Sequence, residues 1–253
     1  LSQKIGWHIH GVYDIDRSAA GKTAALIPTG VASSLEQLFE RSDVVIVAVP
    51  DSMIYHVVEE ISEFHMAKVK YIFHTCGSLS SRILAGAGSE YKVASIHPAL
   101  PIPKFDQKIN PFEPSKWSIE GDREAVLLGM KIINDLGGSY FEIDPDYKTR
   151  YHAACCLLSN NIFSLLQTGK DIFLQSGMTE QDANEMIKNL AGNALNNFLT
   201  SGLEKLTGPA VRNDYITILK HLSILSDPKE FELYRGTLRS LPNVESFWDK
   251  LNI

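Results

Sequence analysis

The 253-residue sequence predicts an α/β domain built on a mostly parallel, doubly wound sheet, followed by an all-α domain. Three observations carry this expectation. Short β-branched runs alternate with helix-compatible stretches up to about residue 145, the pattern of strand–helix–strand units. One of these runs, "VVIVAVP" (44–50), is continuously apolar, as expected of a strand covered on both faces of a parallel sheet. From Tyr147 onward no convincing strand occurs, only long helical patterns broken by "QSGMT", "LTGP", "SDP" and "LPN". The expected division is an α/β domain over 1–145 and a helical domain over 146–253.

Taken in order, "HIHGVYD" (8–14) reads as a strand that ends on Asp14, and "RSAAGKTAAL" (17–26) as a helix before a turn at 28–30. "SSLEQLFERS" is a short helix, with Ser33 or Ser34 as its cap and Leu35, Leu38 and Phe39 as its apolar stripe. After the 44–50 strand come a helix at about 52–65, the strand "YIFHTCG", a glycine-rich piece and the strand "KVASIHP". "KWSIEG" is a further strand, and a helix follows from Asp122. Ala125, Val126, Gly129, Ile132, Ile133 and Leu136 recur on it at helical spacing, and Gly137 is placed to end it. "SYFEID" is the last strand. In the helical half, Thr179 is placed to cap one helix, and Pro209 to occupy the first position of another.

Composition narrows the function classes. Thirty acidic and 24 basic residues give a net charge of −6 with no basic run or stripe, so nucleic acid is not an expected partner. The longest apolar stretches, "VVIVAVP" and "AACCLL", are far too short to cross a bilayer, and no signal-peptide pattern is present. Three cysteines, two of them adjacent (Cys155 and Cys156), make neither a disulfide framework nor a metal spacing, which favours reduced thiols and a cytoplasmic location. The eight histidines show no metal-binding spacing either, so no metal is expected.

In a dinucleotide-binding fold, the acidic residue that holds the ribose lies about 20 residues after a glycine-rich fingerprint. Asp14 is only the fourteenth residue, which places the fingerprint and the first strand just upstream of Leu1 and makes "LSQKIG" the tail of the first helix. Asp14 suits the two ribose hydroxyls of NAD, whereas Arg17 could accommodate the 2′-phosphate of NADP. Alternatively, Asp14 and Asp16 only begin a turn or helix.

Further motifs follow the strand ends. Ala48, Val49 and Pro50 end a central strand where a parallel sheet opens its ligand-binding edge. Thr75, Cys76 and Gly77 end the next, with small residues that allow close backbone approach to a nicotinamide ring. Cys76 itself suits a small filler better than a nucleophile. His97 could protonate a carbonyl or simply hold its loop. In "KTRYHAACCLLSNN", Lys148, His152, Cys155 and Ser159 share one narrow helical face, beside an apolar stripe of Tyr147, Tyr151, Ala154, Leu158, Ile162 and Leu165. Such a mixed face suits a helix lining an interdomain cleft. "LTGPAVRND" joins a helix start at Thr207 to Arg212 and Asp214; Arg212 can hold a carboxylate or phosphate bidentately, or the two can pair with each other. His221 reads as a partly buried helix histidine.

With "VVIVAVPD", "HTCGS", "SIHPALP", "YHAACCLLSNN" and "LTGPAVRND" in this order, the chain resembles the Rossmann-like proteins with a C-terminal domain of unknown function. These are relatives of the 6-phosphogluconate dehydrogenase superfamily, which includes pyrroline-5-carboxylate reductase, ketopantoate reductase and the 3-hydroxyacid dehydrogenases. The resemblance implies a Rossmann-type sheet followed by a helical domain, and an NADP- or NAD-dependent oxidoreductase acting on a small, anionic substrate. It puts the 48–51 loop beside the cofactor. It implies that His152, Lys148 and Asn160, on the helix that leaves the α/β domain, handle proton transfer and substrate orientation. With Ser159, Thr207, Arg212 and Asp214 on the substrate, a homodimer through the helical domain completes the picture. A non-catalytic NAD(P)-binding sensor or scaffold is the alternative.

Overall fold

The computed structural model describes residues 6–27, 29–64, 68–101, 112 and 114–242. The chain divides into two compact units, Leu1–Ser159 and Asn160–Ile253, each described by itself.

In the first unit, β3 (Val44–Val47), β4 (Tyr71–His74), β5 (Lys92–Pro98), β6 (Lys116–Gly121) and β7 (Ser139–Glu142) form a five-stranded sheet in that order. Every pair in it is parallel except β5–β6. β6 lies beside β5 and runs in the opposite direction. β1 (Gly11–Val12) and β2 (Gly30–Val31) form a separate parallel pair.

Successive residues of the sheet feed two different cores, because strand side chains alternate between faces. Val45, Val47, Ile72 and Val93 pack with Leu35 and Phe39 of α2 (Leu35–Arg41) and with Ile54, Val58 and Ile61 of α3 (Ile54–Ser62). Phe73, Ala94, Ile96 and Ile119 pack on the other face, with α4 (Arg123–Asp135). Helices therefore cover both faces, the arrangement called doubly wound. The α4 face is the one that the periodicity marks: Ala125, Val126, Gly129, Ile132 and Ile133 are all buried. A Cβ on Gly129 would come within 2.7 Å of Ile119 Cδ1, so glycine there lets helix and sheet approach closely. Gly137 adopts φ +84°, and the N–H groups of Gly137 and Gly138 bond to Asn134 and Ile133, a Schellman ending that needs a left-handed residue.

Several expectations are corrected. The strand expected over 8–14 pairs only at Gly11–Val12, and α1 (Arg17–Leu26) is capped by Asp16, which accepts from the Ser18 N–H. Of the turn expected at 28–30, Pro28 lies outside the described residues and Gly30 opens β2. The helix expected over 52–65 begins as a 3-10 turn, Asp51–Met53, before α3; residue 65 lies outside the described residues. The 44–50 run is not buried on both faces: β3 is the outermost strand in its order, and Ile46 is 39% exposed.

The long helix expected from Tyr147 is broken. α5 (Lys148–Leu158) stops at Ser159, whose backbone (φ −115°, ψ −78°) departs from helical values, and α6 (Asn160–Gln175) follows. Because the register is lost there, the expected apolar stripe does not form one buried seam: Leu158 is 80% exposed, and Tyr147, Ile162 and Leu165 are exposed as well.

In the second unit, α7 (Glu180–Ser201) is capped by Thr179, which accepts from the Asp182 N–H. α8 (Tyr215–Ile224) and α9 (Pro228–Arg239) enclose a small core of Ala210, Ile218, Leu222 and Leu238. His221 is partly buried on α8, with Nδ1 2.7 Å from the Tyr234 hydroxyl. Pro209 does not open a helix. Residues 209–213 form a turn in which Asn213 has φ +57°, and α8 starts only after Asp214, which caps it through the Thr217 N–H and hydroxyl.

Candidate functional site

The ends of β3 and β4 are joined by one backbone and one side-chain hydrogen bond. The Thr75 N–H donates to the Val47 carbonyl, and the Ser78 hydroxyl donates to Asp51 at 3.0 Å. The β4 turn that follows is ordered by its own sequence. Cys76 Sγ accepts from the N–H groups of Ser78 and Leu79, the Cys76 N–H donates to His74 Nδ1, and Ser80 caps the 3-10 segment Ser81–Ala87. Across residues 75–79 only the buried N–H of Gly77 has no partner among the described residues.

Gly77 is the centre of the arrangement. A Cβ there would collide with His152 Cδ2 and stand 2.7 Å from His97 Nε2. Both rings thus rest against the glycine backbone, edge to face with each other at 5.5 Å between centroids. The requirement is for space, so any side chain at 77 must displace an imidazole. His97 comes from the carboxyl end of β5 and His152 from the second turn of α5. His97 Nδ1 lies 3.0 Å from the Tyr151 hydroxyl. Cys156, one turn beyond His152, stands 3.9 Å from its ring at the nearest nitrogen.

Beneath the turn lies a buried charge. Lys148 is 1% exposed and donates to the Cys76 carbonyl (3.1 Å) and to Ser95 Oγ (2.6 Å). The Ser95 hydroxyl also reaches the Cys76 carbonyl. Burial pulls the lysine below its ordinary pKa, while Glu120 opposes this most strongly among the charges around it. Glu120 is itself buried, its two oxygens accepting from the Ser81 N–H and hydroxyl, both at 2.7 Å.

The surrounding groups titrate accordingly. Burial, then the Lys148 charge, brings His74 down to about 4. Burial, Lys148 and His152 do the same to His97, also to about 4. Burial and the Asp51 side chain push the Cys76 thiol up, which fits a filler and not a thiolate nucleophile. These shifts predict acid lability. Unfolded, each imidazole takes up a proton as pH falls through about 6.5; folded, it does so only near 4. Stability is then full above pH 6.5 and falls as pH drops from 6.5 to 4, with His74 contributing up to about 3 kcal/mol. Urea denaturation at pH 7, 5.5 and 4 checks this, and His74→Asn, which keeps an acceptor for the Cys76 N–H, should flatten the dependence.

The structure brings Thr75, Cys76, Gly77, His97, Lys148 and His152 together. Ala48, Val49 and Pro50 are exposed beside them at the end of β3. Asp14 is exposed after β1, with Oδ1 accepting from the Asp16 N–H, and Arg17 donates to the Ser33 carbonyl. Ser159 ends α5 and donates to the Cys155 carbonyl, whereas Asn160 opens α6 in the second unit. Thr207, Arg212 and Asp214 also belong to the second unit; the Asp214 carboxylate is held below its ordinary pKa by its capping bonds to Thr217. Among the described residues no group of three or more His, Cys, Asp or Glu could hold a metal, and no helix is long and apolar enough to cross a membrane. Sequence reasoning missed Tyr151, Ser95 and Glu120. Ser95 carried a usable signal, since it sits two residues before His97 and so on the same face of β5.

A doubly wound sheet whose carboxyl edge carries the polar cluster, followed by a separate helical unit, defines a two-domain Rossmann-like protein. Residues 2–98 match the Rossmann-like domain, and residues 115–240 match the domain of unknown function DUF2520. The chain belongs to the Rossmann-like proteins that carry this domain. No curated protein matches it. Among solved structures it is similar to a candidate NADP oxidoreductase, BF3122, of Bacteroides fragilis (20% identity, 93% of this chain and 88% of that one, TM-score 0.73). It is similar also to protein TM1727 of Thermotoga maritima (23%, 95% and 91%, 0.67). A third likeness is to the pyrroline carboxylate reductase of Plasmodium falciparum, solved with NADP bound (16%, 94% and 84%, 0.59). At these identities the likeness establishes the fold.

Proposed function

We propose that this protein is an NADP- or NAD-dependent oxidoreductase of a small, anionic substrate, with His97 and His152 at the Gly77 turn as its reacting polar groups. The observation that carries the proposal is the convergence of two imidazoles on a glycine whose Cβ would overlap them, at the carboxyl edge of a Rossmann-like sheet. The residues fit a nicotinamide cofactor: the Gly77 turn carries an unpaired N–H beside two imidazoles packed on the glycine, next to the exposed end of β3. Asp14 would hold the ribose hydroxyls, while Ala48, Val49, Pro50, Thr75, Cys76 and Gly77 would line the ring half. When bound, the cofactor supplies the hydride chemistry.

The chain's own residues do the rest. His152, half-buried at the mouth of the turn, takes up or delivers the substrate proton. Lys148 acts from inside, fixing the Cys76–Gly77 peptide through the Cys76 carbonyl. Arg212 and Thr207 would bind the anionic end of the substrate, with Ser159 and Asn160 as further orienting groups. The test is turnover of a panel of hydroxy and imino acids with NADPH and NADH. His152→Ala is expected to lower kcat by about 10²- to 10⁴-fold and to leave cofactor affinity unchanged. Cofactor binding without turnover of any substrate class would instead support a sensor or scaffold.

The helical domain is proposed to pair two chains. Phe163 of α6 and Leu190, Leu195, Phe198 and Leu199 of α7 are each more than half exposed, an apolar density that a lone surface rarely keeps. Sedimentation velocity should give a dimer for the natural protein and a monomer for Phe198→Lys/Leu199→Lys. A monomeric natural protein would remove this part of the account.

A further inference from the structure

We propose that Tyr151 is a positioning residue for His97: its hydroxyl donates to Nδ1, fixes the imidazole as the Nε2–H tautomer, and makes His97 a neutral hydrogen-bond donor at the Gly77 turn. The proposal deepens the functional reading above and rests on it for the purpose of that donor.

The geometry leaves Tyr151 little freedom. Its ring stands edge to face against His97 (5.6 Å) and against Phe141 of β7 (5.7 Å), and its hydroxyl is 3.0 Å from His97 Nδ1. Two hydrogen positions would satisfy that contact. A phenol is a far stronger acid than a neutral imidazole N–H, and the bare imidazole nitrogen is a better acceptor than a phenol oxygen. The proton therefore lies on the tyrosine and points to Nδ1. Burial foremost, with Cys155 acting in the same direction and the Ser118 hydroxyl against it, pushes the phenol up to about 12, so it keeps its proton at every working pH.

The ring it faces is held neutral from several sides. Besides burial, Lys148 and His152 from α5 disfavour a charged His97, and Asp51 after β3 opposes them only in part. His74 from β4 is the other imidazole close enough to feel His97. With Nδ1 occupied as an acceptor, the one proton on the neutral ring sits on Nε2. That is the atom that stands 2.7 Å from where a Gly77 Cβ would be. The turn is thus presented with an N–H that does not depend on pH in the neutral range. Such a donor suits a carbonyl or carboxylate oxygen of a bound ligand, and it separates the roles of two adjacent histidines: His97 holds an oxygen, and His152 exchanges the proton.

The test reads the tautomer directly and needs neither cofactor nor substrate. Long-range proton–nitrogen spectra of the ¹⁵N-labelled natural protein at pH 7 should show His97 with an unprotonated Nδ1 and a protonated Nε2. Tyr151→Phe keeps the ring packing and removes only the hydroxyl. It should admit the Nδ1–H tautomer and raise the proton affinity of His97 roughly fivefold, since the neutral ring loses its donor. An Nδ1–H tautomer in the natural protein, or a Tyr151→Phe protein with unchanged His97 signals, would overturn the proposal. Failure of the oxidoreductase reading would appear separately, as an absence of NADPH and NADH binding.

Discussion

Gly77→Ala should cost the protein its ligand chemistry while leaving most of its stability. The new Cβ would overlap the His152 ring and crowd His97 Nε2, and the rings are the parts able to move. Shifting side chains out of a packed site costs about 1–3 kcal/mol. Displacing reacting groups by an ångström costs on the order of 10²-fold in rate. The expected outcome is a folded protein, with a melting temperature lowered by a few degrees, whose kcat/KM falls at least about a hundredfold. Thermal melts and steady-state rates on the same preparation check both halves. Unchanged rates would mean that the two imidazoles do not take part.

Lys148→Met is expected to have the opposite balance, acting first on stability. The ammonium is fully buried and bonds to the Cys76 carbonyl and to Ser95, and its removal leaves both acceptors without that donor and takes a positive charge away from the buried Glu120. Leaving buried acceptors without their charged donor costs about 1–3 kcal/mol. Changing both groups, Lys148→Met with Glu120→Gln, should cost less than the sum of the single changes, because neither charge is then left alone. Urea denaturation of the four proteins gives the coupling. Strict additivity would show that Glu120 and Lys148 do not sense each other.

Much of the fold was legible because it is written in local periodicity. The α4 stripe, the Ser34 and Thr179 caps and the left-handed Gly137 each depend on residues within a few positions of one another. Errors arose where a local pattern met a distant constraint. Pro209 looks like a helix start, yet Asn213 in a left-handed conformation delays the helix to Asp214. The stripe from Tyr147 to Leu165 keeps a helical period through a point where the backbone breaks. The division expected at 145 rests on where strand patterns give way to helical ones, and the first compact unit runs on through α5 to Ser159.

The site was legible in its strand ends and not in its partners. His97 and Gly77 follow from the rule that open α/β sheets bind at the carboxyl edge. The Tyr151–His97 contact spans 54 positions and the Ser81–Glu120 contact 39, and neither residue type is marked by any spacing. Glu120 was hidden further by its setting in β6, where an acid in "KWSIEG" reads as an exposed strand position although the fold buries it.

Whether a nicotinamide cofactor and its substrate meet at the Gly77 turn with His97 and His152 is decided by fluorescence titration of the natural protein and of Gly77→Ala with NADPH and NADH. The natural protein should bind one of the two cofactors saturably, at micromolar concentration or below, and the added methyl group should weaken that binding at least about tenfold. Binding of neither cofactor, or binding that Gly77→Ala leaves untouched, would contradict a site at this turn.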